Sequence, residues 1–486
     1  MNYFYLCGIM TKDLKKRTIS SILWNAFDKV GFQLVAFLVG LVTLRLLTPR
    51  DFGIIGALTI FTALSNILIE SGFTSAMIRR RNNTNAEYVA VLCFNLILSL
   101  FLYILLVYNS EAIAKYYCIP ELEDLSSFLF LGILLNSLGI VQNIVLTKRL
   151  EFKKLSIPNI TSAVVSGVVV VVLIFQGYGY WALAWQIVLQ FAVKSVMLWI
   201  LSDWRPREKP NFRVIKELFL FSFSLIATNL MNTFVRYVYN PVIGRNFGEE
   251  RLGYYSEAYK FFFLPSSIVS STFVGVAYPV LSELNGDDSR QLLYLRKIVK
   301  LIAYSIFPLL FGAMACFDHL VHVVLTEKWM PIVPYFRLMA VGGVIIPFHS
   351  LCLSVLTLKG FPRRAFVMEL LKNTLLVLPL FFLRNDFEII LLLFSLFSVL
   401  SYIVDMFFLK IVVDYKIVQQ LKDIFPYLFL SLVMSVVVYC VNFINCSEWL
   451  TLLLQIIVGI LLYFGYNHLL GSRIQRDMFE TILKIR

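Results

Sequence analysis

Charge is what this chain has least of. Charged residues make up 15% of its 486 positions and apolar residues 59%, against about 25% and 45–50% in soluble domains. So few ionic side chains cannot surround a globular core with a wetted surface, and a water-soluble fold is excluded. Metal-ligand spacing is also missing. The 7 cysteines, from Cys7 to Cys446, stand singly with no two-residue spacing, and an odd number argues against a closed disulfide framework. Apolar/polar alternation in segments of about ten residues is absent, which argues against a membrane β-barrel. No polar stretch is long enough for a separate soluble domain, and the longest outward connection runs only from about Tyr108 to Glu123.

What the chain does have is long apolar runs. Several reach 18 or more residues, enough to cross the hydrocarbon core as helices. The expectation is an all-α polytopic membrane protein of about 14 transmembrane helices. The apolar tail Met1 to Met10 precedes its basic cluster, Lys12 to Arg17, the reverse of a cleavable signal peptide.

A net charge of +13 would suggest nucleic acid in a soluble protein, but its distribution gives another reason. With the N-terminus inside, the inward segments collect most of the Lys and Arg, in clusters such as Lys148 to Lys154, Arg205 to Lys216 and Arg290 to Lys300. The outward segments hold only Arg50, Lys115, Arg245, Arg251, Lys328 and Arg384. This positive-inside skew places both termini in the cytoplasm and accounts for the charge without nucleic acid.

A spacing recurs two hundred residues apart. Arg45 is followed by Gly53 and Arg245 by Gly253, each between two apolar runs. Six spans separate the two, an even number, so the halves run in the same direction, as parallel six-helix lobes around a central cleft. The expected organisation is a tail at 1–19, an N-lobe at 20–202, a cytoplasmic linker at 203–214 and a C-lobe at 215–411. Two further spans at 412–470 and a cytoplasmic tail at 471–486 complete it.

The motifs themselves resemble a family. Leu47-Thr48-Pro49-Arg50-Asp51-Phe52-Gly53 is similar to the loop after the first helix of bacterial polysaccharide transporters. Gly177-Tyr178-Gly179-Tyr180-Trp181-Ala182-Leu183 resembles that family's turn before the sixth helix, and Ile243-Gly244-Arg245 with Leu252-Gly253-Tyr254-Tyr255 and Tyr278-Pro279-Val280-Leu281-Ser282 resembles its seventh and eighth. These are the lipid-linked oligosaccharide flippases of the multidrug/oligosaccharidyl-lipid/polysaccharide exporter superfamily, colanic-acid-exporter-like branch. The resemblance implies a two-lobed exporter in the bacterial inner membrane, carrying an undecaprenyl-diphosphate-linked glycan from inner to outer leaflet. It implies membrane lipid as surroundings, and a polysaccharide polymerase and chain-length machinery as further partners. The chain departs at Tyr239, where the family often has an aspartate four residues before the Ile-Gly-Arg, so a coupling acid does not carry over there.

Charges inside spans say what a cargo must look like, because each costs about 2.5–3.5 kcal/mol at the bilayer centre unless partnered or wet. Lys29, Arg236, Lys260 and Arg337 suit a diphosphate, with Asn232 and Tyr239 as polar contacts for glycan. Asp28, Glu70, Glu257 and Asp405 are candidates to carry a coupling Na+ or H+; no other cofactor is expected. Glu257 and Lys260, three apart on one helical face, either pair with each other or meet a ligand. Glu369 and Lys372 read as an interfacial pair, Lys194 as a snorkelling cation, and Tyr116-Tyr117 and Tyr178 to Trp181 as interfacial aromatic belts. Asp318-His319-x-x-His322 lies at a helix end and reads as structural rather than metal-binding. Proline at 265, 279, 308, 334, 347 and 379 predicts kinks in the later spans.

The function expected is a flippase, not an enzyme. The alternatives are a multidrug or lipid II exporter of the same superfamily, a membrane glycosyltransferase or polymerase, and a channel. Drug exporters of cations need acids in the cavity, whereas midspan bases here are at least as numerous. The enzymes need a larger external loop than Tyr108 to Glu123.

Overall fold

The computed structural model describes residues 12–80, 82–284, 286–381, 386–444, 446–472 and 474–476. The first eleven residues of the expected N-terminal tail, the end of the C-terminal tail, and Arg81 and Arg384 lie outside them. Among the described residues there is no β-strand.

The chain runs as α1 (Lys12–Leu46), α2 (Pro49–Arg79), α3 (Asn85–Tyr108), α4 (Ser110–Tyr117), α5 (Leu122–Leu129) and α6 (Leu131–Lys148). It continues with α7 (Phe152–Phe175), α8 (Tyr180–Leu201), α9 (Arg213–Tyr237), α10 (Tyr239–Glu283) and α11 (Asp288–Leu320). Then come α12 (Ile332–Gly343), α13 (Ile346–Leu358), α14 (Pro362–Val377), α15 (Phe387–Val413), α16 (Ile417–Cys440) and α17 (Glu448–Leu469).

Among the described residues, 12 helical segments are long and apolar enough to cross a membrane. The difference from the expected fourteen has two physical sources. One segment, Leu225–Glu283, is 59 residues long, about 88 Å at helical rise and far beyond one bilayer. It joins the second half of α9 to α10, two apolar runs that the sequence separates at about 244–252, and it leaves helical geometry at Gly248 (φ 85°, ψ 171°), a backbone state that glycine adopts without strain. A second of the fourteen apolar runs, at about 366–383, is only 16 residues long as α14, and it ends in a 3₁₀ turn, Leu378–Phe381, that holds Pro379. Another short interruption separates α12 from α13 just ahead of Pro347, which has no N–H to donate to the preceding turn, while Val344 and Ile345 keep right-handed helical angles. Of the other expected kinks, Pro265, Pro279 and Pro308 sit inside helices.

The chain divides into two compact units, Met1–Gly253 and Tyr254–Arg486. The boundary expected from sequence lay earlier, in the linker at 203–214; by packing, the first unit continues past it because α9 lies along α2. In this unit α1 also packs on α7, α7 on α8, and α6 on α3 and α8. Small and hydroxylated side chains fasten these contacts, as expected where lipid supplies no hydrophobic drive between helices. Ser99 donates to Ser137 at 2.9 Å, Ser195 to the Leu135 carbonyl at 2.5 Å, and Trp199 Nε1 to the Leu138 carbonyl at 2.9 Å.

In the second unit, α11 packs on α16 and α17, and α15 packs on α12 and α14. Tyr463 donates to the Tyr304 carbonyl at 2.9 Å, tying α17 to α11. His319 bridges Glu448 at 2.5 Å and Asn442 at 2.9 Å, so the Asp318-His319 stretch clamps the start of α17 as a structural element.

Candidate functional site

Two places stand out, one in each unit. The first is the crossing of α2 with the stretch of α10 that follows Gly248. Thr48 and Asp51 form a capping box that starts α2, the Thr48 amide donating to Asp51 at 2.8 Å. A Cβ added at Gly53 would overlap the Glu249 carbonyl, and one at Gly253 would overlap the Pro49 carbonyl. Each added Cβ would also come within 3.0–3.1 Å of the other glycine's nitrogen. The contact is reciprocal at a constant offset: 53 faces 249 and 253 faces 49. The repeat visible in sequence is therefore a local two-fold relation, with its glycines where the backbones touch.

Polar contacts surround this crossing. Asn240 Nδ2 donates to the Gly56 carbonyl and Tyr117 Oη to the Ala57 carbonyl, both at 2.8 Å and both buried. Arg50 reaches Glu249 at 3.0 Å and Glu121 at 2.7 Å. Arg245 donates to the Tyr116 carbonyl at 2.9 Å and lies over the Tyr116 ring, which ties the start of α10 to the end of α4. Tyr117 was expected in an interfacial belt; only 2% exposed, it is a packing residue instead. Burial in its loop also pushes the Tyr117 hydroxyl far above the usual tyrosine range, which keeps it a hydrogen-bond donor.

The second place is a quartet of ionisable side chains from three helices. His349 comes from α13, Glu369 and Lys372 from α14, and Asp405 from α15. His349 Nδ1 lies 3.0 Å from both Asp405 oxygens. Its Nε2 lies 2.8 Å from Glu369 Oε1 and 2.7 Å from Lys372 Nζ. Lys372 also pairs with Glu369 at 2.7 Å. The Glu369 and Asp405 side chains are 1% and 0% exposed, with His349 at 12% and Lys372 at 14%. Cys352 Sγ lies beside the quartet, 3.5 Å from the Asp405 carbonyl and 3.4 Å from Met368 Sδ.

The geometry gives His349 two hydrogen-bonding states. Nδ1–H donates to Asp405 in both. A neutral ring offers the Nε2 lone pair to the Lys372 ammonium, whereas an imidazolium donates Nε2–H to Glu369. The two carboxylates and the lysine sum to one negative charge, and one proton on the ring brings the quartet to neutrality. A buried site that changes by one proton and exchanges one hydrogen bond for another suits carrying that proton.

The sequence caught three members of this quartet and missed the fourth. Asp405 was expected as a coupling acid, while Glu369 and Lys372 were expected as an interfacial pair; burial corrects the latter, because the pair belongs to the quartet. His349 went unread, though it is the one histidine of four that lies deep within an apolar run, Ile332–Leu358, rather than near the end of one. A depth comparison could have found it. His349 is nine residues before Leu358, Glu369 seven after Pro362 and Asp405 eight before Val413, roughly 10–14 Å from ends on the same side.

The other expected residues are dispersed. Glu257 is buried and paired with Lys260 at 2.5 Å, the pairing option left open by their spacing. Arg337 bonds Asp318 and the Met314 carbonyl, so it too is engaged inside its unit. Asp28 accepts from Asn159 at 2.9 Å, with its other oxygen buried. Glu70 accepts from Asn136 at 2.5 Å. Lys29 and Arg236 are exposed, Asn232 is half-buried and Tyr239 is 1% exposed within the packing.

Comparison with known proteins fits this architecture. A family model described as "Polysaccharide biosynthesis protein" matches residues 42–334. The teichuronic acid biosynthesis protein TuaB of Bacillus subtilis (strain 168) is 23% identical over 433 residues, covering 88% of this chain and 90% of TuaB. The succinoglycan biosynthesis transport protein ExoT of Rhizobium meliloti (strain 1021) is 26% identical over 341 residues, covering 70% of this chain and 69% of ExoT. Among solved structures, the lipid II flippase MurJ in an inward closed conformation superposes with a TM-score of 0.76 at 16% identity, covering 94% of this chain and 100% of that one; the fold is the same. With the family model spanning more than half of its length, this multi-pass membrane protein belongs to the polysaccharide biosynthesis protein family, within the polysaccharide transporter superfamily.

Proposed function

We propose that the protein is a flippase that moves an undecaprenyl-diphosphate-linked oligosaccharide from the inner to the outer leaflet of the bacterial cytoplasmic membrane, by alternating access and at the expense of a proton gradient. Both termini face the cytoplasm in this reading. The observation that carries the coupling is the His349–Asp405–Glu369–Lys372 quartet, in which a single nitrogen faces both a cation donor and a carboxylate acceptor. Family membership supports polysaccharide precursors as the cargo class, and the relatives' names, teichuronic acid biosynthesis and succinoglycan transport, point the same way.

Lys29 and Arg236, both exposed within spans, are the cations assigned to the diphosphate. Asn232 supplies a polar contact for sugar hydroxyls. Lys260 and Arg337 already hold Glu257 and Asp318, so each would have to exchange a partner to meet the cargo.

Deleting the gene and analysing lipid-linked glycans tests the cargo. The expected result is accumulation of one undecaprenyl-diphosphate-linked oligosaccharide at the inner leaflet with loss of the corresponding surface polymer. Unchanged surface polymer and no accumulated precursor would rule the reading out.

A further inference from the structure

Outside the sites above, the second unit contains a recess of about 470 Å³ between the N-terminal parts of α11 and α16. Four cations line it, Arg296, Lys297 and Lys300 from α11 and Lys422 from α16, against one carboxylate, Asp423. That acid is already saturated. Arg296 grips it with Nε at 2.7 Å and Nη2 at 3.0 Å, Lys300 Nζ lies at 3.1 Å and the Tyr415 hydroxyl donates at 2.7 Å. A carboxylate has about four acceptor sites, so Asp423, 5% exposed, is used up in positioning its neighbours. Arg296 has five N–H donors and Lys300 three, more than the acid accepts. Lys422 lies exposed on the rim. The recess thus presents the surplus donors of Arg296 and Lys300 beside the exposed Lys422, with four cations lining it against one acid, a setting matched to a phosphate.

The helix above the recess says which phosphate. On α16, Lys422, Phe425, Phe429 and Val436 recur at three, four and seven residues and lie on one face. Phe425, Phe429 and Val436 are 62%, 55% and 63% exposed. A charged rim that continues directly into an exposed apolar stripe fits a headgroup followed by acyl chain, whereas a soluble anion has no use for the stripe. Basic pockets between transmembrane helices on the cytoplasmic side bind such headgroups.

We infer that this recess holds the phosphate of an anionic membrane phospholipid of the inner leaflet, with an acyl chain along Phe425, Phe429 and Val436. The site is separate from the cargo and proton sites. It rests on the proposed orientation, and lipid binding is measured without transport, so it succeeds or fails independently of the flippase reading.

The test uses the full chain purified in neutral detergent and titrated with phosphatidylglycerol or phosphatidylcholine, with bound lipid counted by native mass spectrometry and stability followed by thermal melting. Wild type should retain phosphatidylglycerol in preference to phosphatidylcholine and melt several degrees higher with it. Lys297→Gln/Lys422→Gln, which spares the Asp423 network, should weaken phosphatidylglycerol binding at least fivefold, while Lys422→Arg should retain it. An unchanged elution profile and helical content show that the double variant is folded. Equal retention of both lipids, or wild-type affinity in the double variant, would overturn the assignment. Displacement of phosphatidylglycerol by millimolar inorganic phosphate would make this a soluble-anion site, and displacement by undecaprenyl diphosphate at equal concentration would make it part of the cargo path; either outcome defeats the inference.

Discussion

Each residue of the buried quartet has a role that depends on the others, which makes its energetics non-additive. Lys372→Met leaves two buried carboxylates facing one imidazole, and breaking a buried pair on one side costs about 3–5 kcal/mol. The expected result is a lowered thermal midpoint, largely restored in Lys372→Met/Glu369→Gln, because the second change removes the orphaned charge. Equal melting of single and double variants would show that the two side chains are uncoupled. At the proposed cargo site, Lys29→Gln and Arg236→Gln should each cut glycan export at least tenfold with protein level unchanged. Normal export in both would remove them from the diphosphate. These residues also mark what the sequence could convey. Glu369 and Lys372 are three apart, so their pairing was legible; that His349 and Asp405 close on them from two other helices was not, since no local spacing encodes it. Tyr117 taught the same lesson, because a tyrosine near a predicted interface reads as a belt residue until the α2 carbonyl that accepts its proton is in view.

At the scale of elements, glycine and charge make unequal contributions to the α2/α10 crossing. An added methyl at Gly53 or Gly253 meets a backbone carbonyl that cannot rotate away, and overpacking of this kind costs about 1–3 kcal/mol. The Arg50 side chain is 54% exposed, and exposed ion pairs contribute about 0–1 kcal/mol each. Gly53→Ala and Gly253→Ala should therefore lower the melting midpoint by several degrees, while Arg50→Ala should barely move it. A larger loss in Arg50→Ala than in either glycine variant would reverse that ranking. This element was the most legible part of the chain: the Arg-to-Gly spacing at 45/53 and 245/253 pointed to a repeat, and the two glycines prove to be where its copies touch. The length of the helices was less legible. Hydropathy divided Leu225–Glu283 correctly in two, yet it could not say that the break falls at Gly248 rather than at the tyrosines that follow.

For the whole molecule, composition and the basic-residue skew determined the class, a polytopic helical membrane protein, before any contact was known. The division by packing at Gly253 came only from the structure, because what holds α9 in the first unit is its long contact with α2. The central claim is that glycan export is driven by a proton carried at His349. The most direct measurement is translocation of the accumulated undecaprenyl-diphosphate-linked oligosaccharide in proteoliposomes under an imposed pH gradient, with wild type beside His349→Gln, which keeps a side-chain amide but cannot become a cation. Wild type should transport against the lipid-linked glycan gradient only while the pH gradient lasts, and His349→Gln should lose that dependence and at least tenfold of the rate. Uphill transport by wild type without any pH gradient, or undiminished gradient-driven transport by His349→Gln, would contradict the account.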